Sequence, residues 1–255
     1  MQITTAQILG FVGAWFWPFA RVAAAIMVAP VFNARVVPKR IRLALAVALT
    51  IVVAPAHPAA SMPAPFSGPG LLLLAQEMLI GLAMGFALQM TFDALVIAGQ
   101  TVAMSMGLGF AFLLDAQRGV SVPVLSQMFV MLATLTFLAL DGHLAFIETL
   151  ASSFTTFPIG SGIGRDGAWQ LVAFASTVFA GALQVALPAA VSLIVVNLAL
   201  GVMSRAAPTL NLFAVGFPVT MALGFVILLW TLPNVQASFV SLLSASFTLV
   251  HGLVG

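Results

Sequence analysis

The sequence predicts an all-α fold of polytopic membrane type, in which some helices are long and broken. Three observations carry that reading. Of 255 residues, 62% are hydrophobic and 5% charged, whereas a soluble domain carries roughly a quarter charged residues. The mean hydropathy is +1.21, too apolar for a soluble sphere to cover itself, so the excess must face lipid, partner subunits or both. Apolar runs recur between Pro, Gly and charged punctuation along the whole chain.

Charge and cysteine content narrow the function. Eight Lys and Arg stand against six Asp and Glu, so a pI of about 10.5 is no nucleic-acid footprint. Cysteine is absent, which excludes disulfides and thiolate metal sites. His57, His143 and His251 lie far apart without HExxH spacing, and no GxSxG elbow occurs; metal and nucleophilic catalysis have nothing to stand on, and no cofactor is implied. Gly162, Gly164 and Gly167 match GxGxxG, but between apolar helices rather than after a strand, which rejects a dinucleotide site.

The first apolar segment, 8–31, has no basic residue before Arg21 and no small-residue cleavage site, so it is expected to be a mature helix rather than a signal peptide. Arg21 inside it needs a carbonyl, an acid or a water-filled lumen, unless it snorkels. Segment 41–56 is shorter than the roughly 20 residues of a span and is expected to dip or pack. The connection His57–Gly70, with Pro58, Pro63, Pro65 and Pro69, reads as an extended outer loop.

Segments 71–105 and 169–204 would each exceed about 50 Å at about 1.5 Å per residue, against a hydrocarbon core of about 30 Å. They must tilt, break or leave the bilayer. The remaining segments are 124–149, 213–232 and 235–253, and Asp141-Gly142-His143 reads as a helix-end turn. Arg35, Lys39, Arg40 and Arg42 share one connection, and Arg118 and Arg205 fall in two others. On an alternating path these lie on one side, which the positive-inside rule assigns to the cytoplasm. Trp15, Trp17, Trp169 and Trp230 sit near helix ends or prolines, as interfacial anchors would.

Two constellations invite a function. Glu77, Gly81, Gly85, Gln89 and Asp93 recur at every fourth position, forming a polar ridge that must face protein or water, with Gly81 and Gly85 as a GxxxG pair. Its acids serve either as a proton or ion relay or as interhelical hydrogen-bond partners. The stretch Gly107–Pro123, GLGFAFLLDAQRGVSVP, is apolar yet interrupted by Gly107, Gly109, Asp115, Arg118, Gly119 and Pro123. Non-helical backbone at membrane depth is tolerated only inside protein or around a water-filled cavity. That makes it a candidate plugging loop, in which Phe110, Phe112, Leu113 and Leu114 supply the apolar closure; a surface hairpin is the plain alternative.

Several stretches together resemble the FliR family of type III secretion export-gate subunits: FWPFARV, APVFNARVVPKRIRLALA, QEMLIGLAMGF, AGQTVAMSMGLGFAFLLD, DGHLAFI, FPIG and NLALGVMSRAAPTLNLFAVGFPVT. One departure is Asp115-Ala116, where the family often has Asp-Pro. The resemblance implies a single unit over 1–255 in the bacterial inner membrane, at the flagellar basal body. That unit, built from helical hairpins, would assemble with FliP and FliQ into a helical cone lying partly on the periplasmic side, with FlhB at its entrance and FlhA as a further partner. It would pass unfolded flagellar proteins, and loop 107–122 would help close the channel. Membrane lipid is a further partner. Residues 1–168 would form the helical part bearing the plug, and 169–255 would contain a FliQ-like hairpin turning at Arg205, Pro208 and Asn211. Asn197 is expected to be buried there, fixing contact register. The equivalent subunit of a virulence injectisome is the alternative. A secondary transporter using Glu77 and Asp93 would need inverted repeats, and a hydrolase a nucleophile paired with a base; neither is found.

Overall fold

A computed structural model describes residues 5–34, 36–53, 63–65, 67–109, 123–206 and 212–254. Within them the chain is helical throughout: α1 Thr5–Val28, α2 Lys39–Val53, α3 Gly68–Ser105, α4 Val124–Ala139, α5 Gly142–Thr156, α6 Arg165–Ala206 and α7 Leu212–Val254. By length and composition α3, α6 and residues Gly216–Leu253 of α7 could each cross a membrane, and α4 and α5 form a bent pair that could together make a fourth span.

Two expected boundaries moved. Segments 213–232 and 235–253 are one helix of 43 residues, with Pro218 and Pro233 inside it. Pro188 likewise lies inside the 42 residues of α6. A proline ring removes one backbone donor and crowds the preceding turn. All three rings are on exposed faces, so no packed neighbour is disturbed. Both long helices, and the 38 residues of α3, therefore run on without a break. Conversely, segment 124–149 is interrupted, because Asp141 takes a left-handed φ of 53° ahead of α5. Asp and Asn are the non-glycine residues that tolerate this region best.

The chain divides into two compact units, Met1–Met90 with Leu140–Ala175 and Ser244–Gly255, and Thr91–Ala139 with Ser176–Leu243. In the first unit, α2 rests Ala46, Thr50 and Val53 against protein, and Trp17, Ile26, Ile80, Met84 and Phe146 are fully buried. Trp17 is thus a core residue and no interfacial anchor, whereas Trp169 is 71% exposed. In the second unit, Phe92 meets Phe137 and Phe239 edge to face, with ring centroids 5.7 and 5.3 Å apart, the geometry that aromatic quadrupoles prefer. A Cβ on Gly99 would lie 2.6 Å from Ser126 Cα, so glycine is what lets α4 reach α3. Ser126 Oγ then donates to the Val96 carbonyl at 2.9 Å.

Along α6 the second unit buries Val178, Ala182, Val185, Ala189 and Leu193. Leu183, Leu187, Val191, Val195 and Val202 on the same helix are exposed. In α7, Phe225, Leu229 and Trp230 are exposed as well. Apolar faces of this extent need lipid or protein to cover them.

Candidate functional site

The first unit is organised around an ion pair. Arg21 of α1 and Glu77 of α3 are both 0% exposed, and Arg21 Nε donates to Glu77 Oε2 at 2.8 Å. The pair exists because α1 and α3 come unusually close. A Cβ on Gly81 would lie 2.1 Å from the Arg21 carbonyl oxygen, and one on Gly85 would lie 2.6 Å from that of Ala25. Only glycine at both positions permits this approach, and alanines on α1 (Ala24 and Ala25) and just past its end (Ala29) meet it from the other side.

A buried ion pair repays its desolvation best where the remaining donors and acceptors are also used, and of the Arg21 guanidinium nitrogens Nη2 alone is buried without a hydrogen-bond partner. Arg21 Nη1 donates to the Ser153 carbonyl at 3.0 Å, to Ser153 Oγ at 3.2 Å and to the Phe157 carbonyl at 3.0 Å. Those two carbonyls lie at the C-terminal end of α5, where the macrodipole favours a cation; the Ser153 carbonyl also accepts from the Phe157 N–H at 2.9 Å. The guanidinium carbon also stands 4.3 Å from the centroid of the Phe154 ring, within cation–π range. Glu77 Oε1 in turn accepts from the Gly160 N–H at 3.1 Å, where Gly160 has φ +96°. One guanidinium and one carboxylate thus tie together α1, α3, the end of α5 and the turn after it. A lysine could not replace Arg21, since its ammonium lacks the planar fork of donors.

Sequence reasoning singled out Arg21 and Glu77 separately and left the pair unmade. Ser153, Phe157 and Gly160 were missed as its partners; the signal available was FPIG, the stretch spanning Phe157–Gly160. Of the rest of the ridge, Gln89 is half-buried in the first unit, and Asp93 is half-buried in the second.

The second unit holds the base of the candidate plug. Gly107, at φ +81°, ends α3. Leu108 N–H donates to the Ala103 carbonyl and Gly107 N–H to the Met104 carbonyl, both at 3.0 Å. That pair of bonds is a Schellman cap, which needs a left-handed residue at this position. Met106 beneath the cap is 0% exposed, and a Cβ on Gly224 would come 2.7 Å from Met106 Cε. Gly109 lies over Met104, where its Cβ would be 2.9 Å from Sδ. Phe110, Phe112, Leu113, Leu114, Asp115, Arg118 and Gly119 fall outside the described residues.

Asn197 departs from expectation: on α6 it is exposed, not buried. Its Nδ2 donates to the Ser105 carbonyl at 3.2 Å. The reason is positional. The last carbonyls of α3 have no intrahelical donor, and a side-chain amide at the helix edge reaches one while remaining open to solvent. Arg205 is exposed in the last turn of α6, and Pro208 and Asn211 lie outside the described residues. Among the described residues no group of three His, Cys, Asp or Glu side chains could hold a metal ion.

Long apolar helices drawn together by glycines and locked by a buried, hydrogen-bonded ion pair define a helical membrane protein. The chain belongs to the family described as bacterial export proteins, family 1, whose model matches residues 12–246. It is 38% identical over 255 residues to the flagellar biosynthetic protein FliR of Escherichia coli (strain K12), covering 100% of this chain and 97% of that one. The FliR of Pectobacterium carotovorum subsp. carotovorum is 39% identical over 249 residues, 97% and 95% of the two chains. That of Aquifex aeolicus (strain VF5) is 31% identical over 222 residues, 84% and 83%.

Proposed function

We propose that this chain occupies the FliR position in the flagellar type III export gate. It builds, with FliP and FliQ, the channel through which unfolded flagellar proteins leave the cell. The observation that carries the reading is likeness over the full length to proteins named flagellar biosynthetic protein FliR. The flagellar names of these relatives favour the flagellum over an injectisome. The gate sits in the inner membrane at the basal body, with FlhB at the entrance and FlhA beside it. The chain works there without catalysis or cofactor.

Three structural features support the reading. The exposed apolar faces of α6 and α7 suit packing on neighbouring subunits. Two long helices, α6 and α7, follow one another across residues 165–254, as the FliQ-like hairpin of this reading requires, with Arg205 in the last turn of the first. The helix end before the candidate plug is capped at Gly107, and in this reading the apolar residues of loop 107–122 close the channel by dewetting. In this reading Glu77 is a structural partner of Arg21 and no member of a proton relay, because both of its carboxylate oxygens are engaged.

The test is expression of the chain in a bacterium lacking its own FliR, with FliP and FliQ co-purified and the mass of the intact complex measured. Restored motility and a three-component complex are expected. A chain that purifies alone and restores nothing overturns the gate reading. Deleting Phe110–Leu114 from the assembled gate should raise ion leakage, and leakage equal to wild type overturns the plug.

A further inference from the structure

We propose that α2 is a one-leaflet anchor that enters the bilayer end-on, with Lys39 and Arg40 on anionic phospholipid headgroups and Leu43, Val47, Ile51 and Val52 against acyl chains. The inference rests only on the membrane character of the chain, so it stands or falls apart from the export-gate reading.

Length comes first. The 15 residues of α2 reach about 22 Å, short of the roughly 30 Å of a hydrocarbon core. The distribution of polarity decides orientation. All three cations of α2 lie in its first four residues, Lys39, Arg40 and Arg42, and beyond them the only polar side chain is Thr50. Thr50 is buried and donates to the Ala46 carbonyl at 2.7 Å. A helix lying flat in the interface needs a polar face along its whole length; α2 has a polar end instead. Its outward face is apolar throughout, with Leu43 51%, Val47 43%, Ile51 54% and Val52 76% exposed. The opposite face, Ala46, Thr50 and Val53, is covered by protein.

The charged end is equally one-sided. Lys39 and Arg40 are exposed, and among the described residues neither forms an ion pair. Arg42 is committed to its own connection: one Nη donates to Asn33 Oδ1 and the other to the Ala34 carbonyl at 2.8 Å. It braces the segment that presents the other two. The first turn carries no acid, so these cations meet the positive end of the helix dipole unrelieved. An anionic headgroup answers both charges at once, at the depth where the apolar face begins. An anionic leaflet attracts juxtamembrane Lys and Arg, and the positive-inside rule assigns this connection to the cytoplasmic side.

The absence of cysteine makes the test direct. Single variants Leu43→Cys and Val52→Cys of the full chain, kept with any subunits that co-purify, are labelled with an environment-sensitive fluorophore. They are then placed in vesicles of phosphatidylcholine and phosphatidylglycerol. Nitroxide near the headgroup should quench the label at position 43, and nitroxide deep in the acyl chain the label at position 52. At equal mole fraction, nitroxide on phosphatidylglycerol should quench position 43 roughly two- to fivefold more than nitroxide on phosphatidylcholine. Lys39→Gln with Arg40→Gln should abolish that preference, and Arg205→Gln should leave it intact. The lipid comparison on Leu43→Cys with Lys39 and Arg40 intact decides the matter even if the double variant fails to accumulate. No quenching at either position means that a partner protein covers the face; equal depth means that α2 lies flat; equal quenching by both lipids means that the cations do not select anions. Each of these results overturns the proposal.

Discussion

Arg21 and Glu77, 56 positions apart in the chain, meet at 2.8 Å with neither side chain exposed. Removing one partner leaves the other charged, buried and uncompensated, which typically costs about 3–5 kcal/mol, whereas replacing both by apolar groups is often nearly neutral. Glu77→Ala and Arg21→Met should therefore each lower the chain's level in membranes and its thermal midpoint in detergent, and the double variant should recover a large part of the loss. If the double variant loses the sum of the two, the pair is not the coupled unit described. Glu77→Gln keeps an acceptor for Arg21 but removes the compensating charge, so its loss should fall between wild type and Glu77→Ala. A Glu77→Gln chain that accumulates normally yet no longer supports export would restore the proton-relay reading.

Close helix approach gives a second expectation. On Gly81 a Cβ would collide with backbone, the Arg21 carbonyl at 2.1 Å, and backbone cannot step aside as a side chain can. Gly81→Ala should cost about 1–3 kcal/mol by overpacking, and more if it also stretches the ion pair. Gly201 on α6 has nothing within 4 Å of the same construction, so Gly201→Ala should be neutral or stabilising by up to about 1 kcal/mol. Thermal unfolding of the two variants side by side checks the contrast.

How much of this was legible in the sequence depends on whether the signal was local. The glycine pair announced itself through spacing alone, because GxxxG is a local pattern. Arg21 announced its need for a carbonyl or an acid, because a charge inside an apolar helix is costly wherever it lies. Which carbonyl and which acid were illegible, since Ser153 and Phe157 lie 132 and 136 positions away and distance in sequence carries no trace of contact. Helix ends were misread where proline was taken as punctuation. Pro233 breaks a pattern on paper, but on an exposed face its lost hydrogen bond is tolerable. Asn197 was misread for the opposite reason: its apolar neighbours in sequence suggested burial, yet those neighbours are themselves exposed in the single chain.

Asp141 offers a prediction confined to one residue. It holds φ 53° and ψ 25° between α4 and α5, without a side-chain hydrogen bond to the helix it precedes. A β-branched residue in the left-handed region pays about 1–2 kcal/mol in steric conflict, and glycine pays none. Asp141→Gly should match or exceed wild type in thermal midpoint and Asp141→Val should fall below both. The reverse order would mean that the break between the helices is not set by this conformation.

The base of the candidate plug gives the last expectation, and it separates anchoring from closure. Gly107 at φ +81° completes the Schellman cap, while Asn197 reaches the Ser105 carbonyl from α6. Gly107→Ala strains the cap by about 1–2 kcal/mol, and Asn197→Leu removes a donor worth about 1 kcal/mol. Neither loss is large enough to unfold a chain locked elsewhere by its ion pair, so both variants should accumulate normally. What each should lose is the fixed helix end at Gly107. If loop 107–122 closes the channel, both variants raise ion leakage through the assembled gate, and the double variant raises it further. If leakage stays at the wild-type level while deletion of Phe110–Leu114 opens the channel, the loop is held by contacts beyond its base, and the cap serves α3 alone.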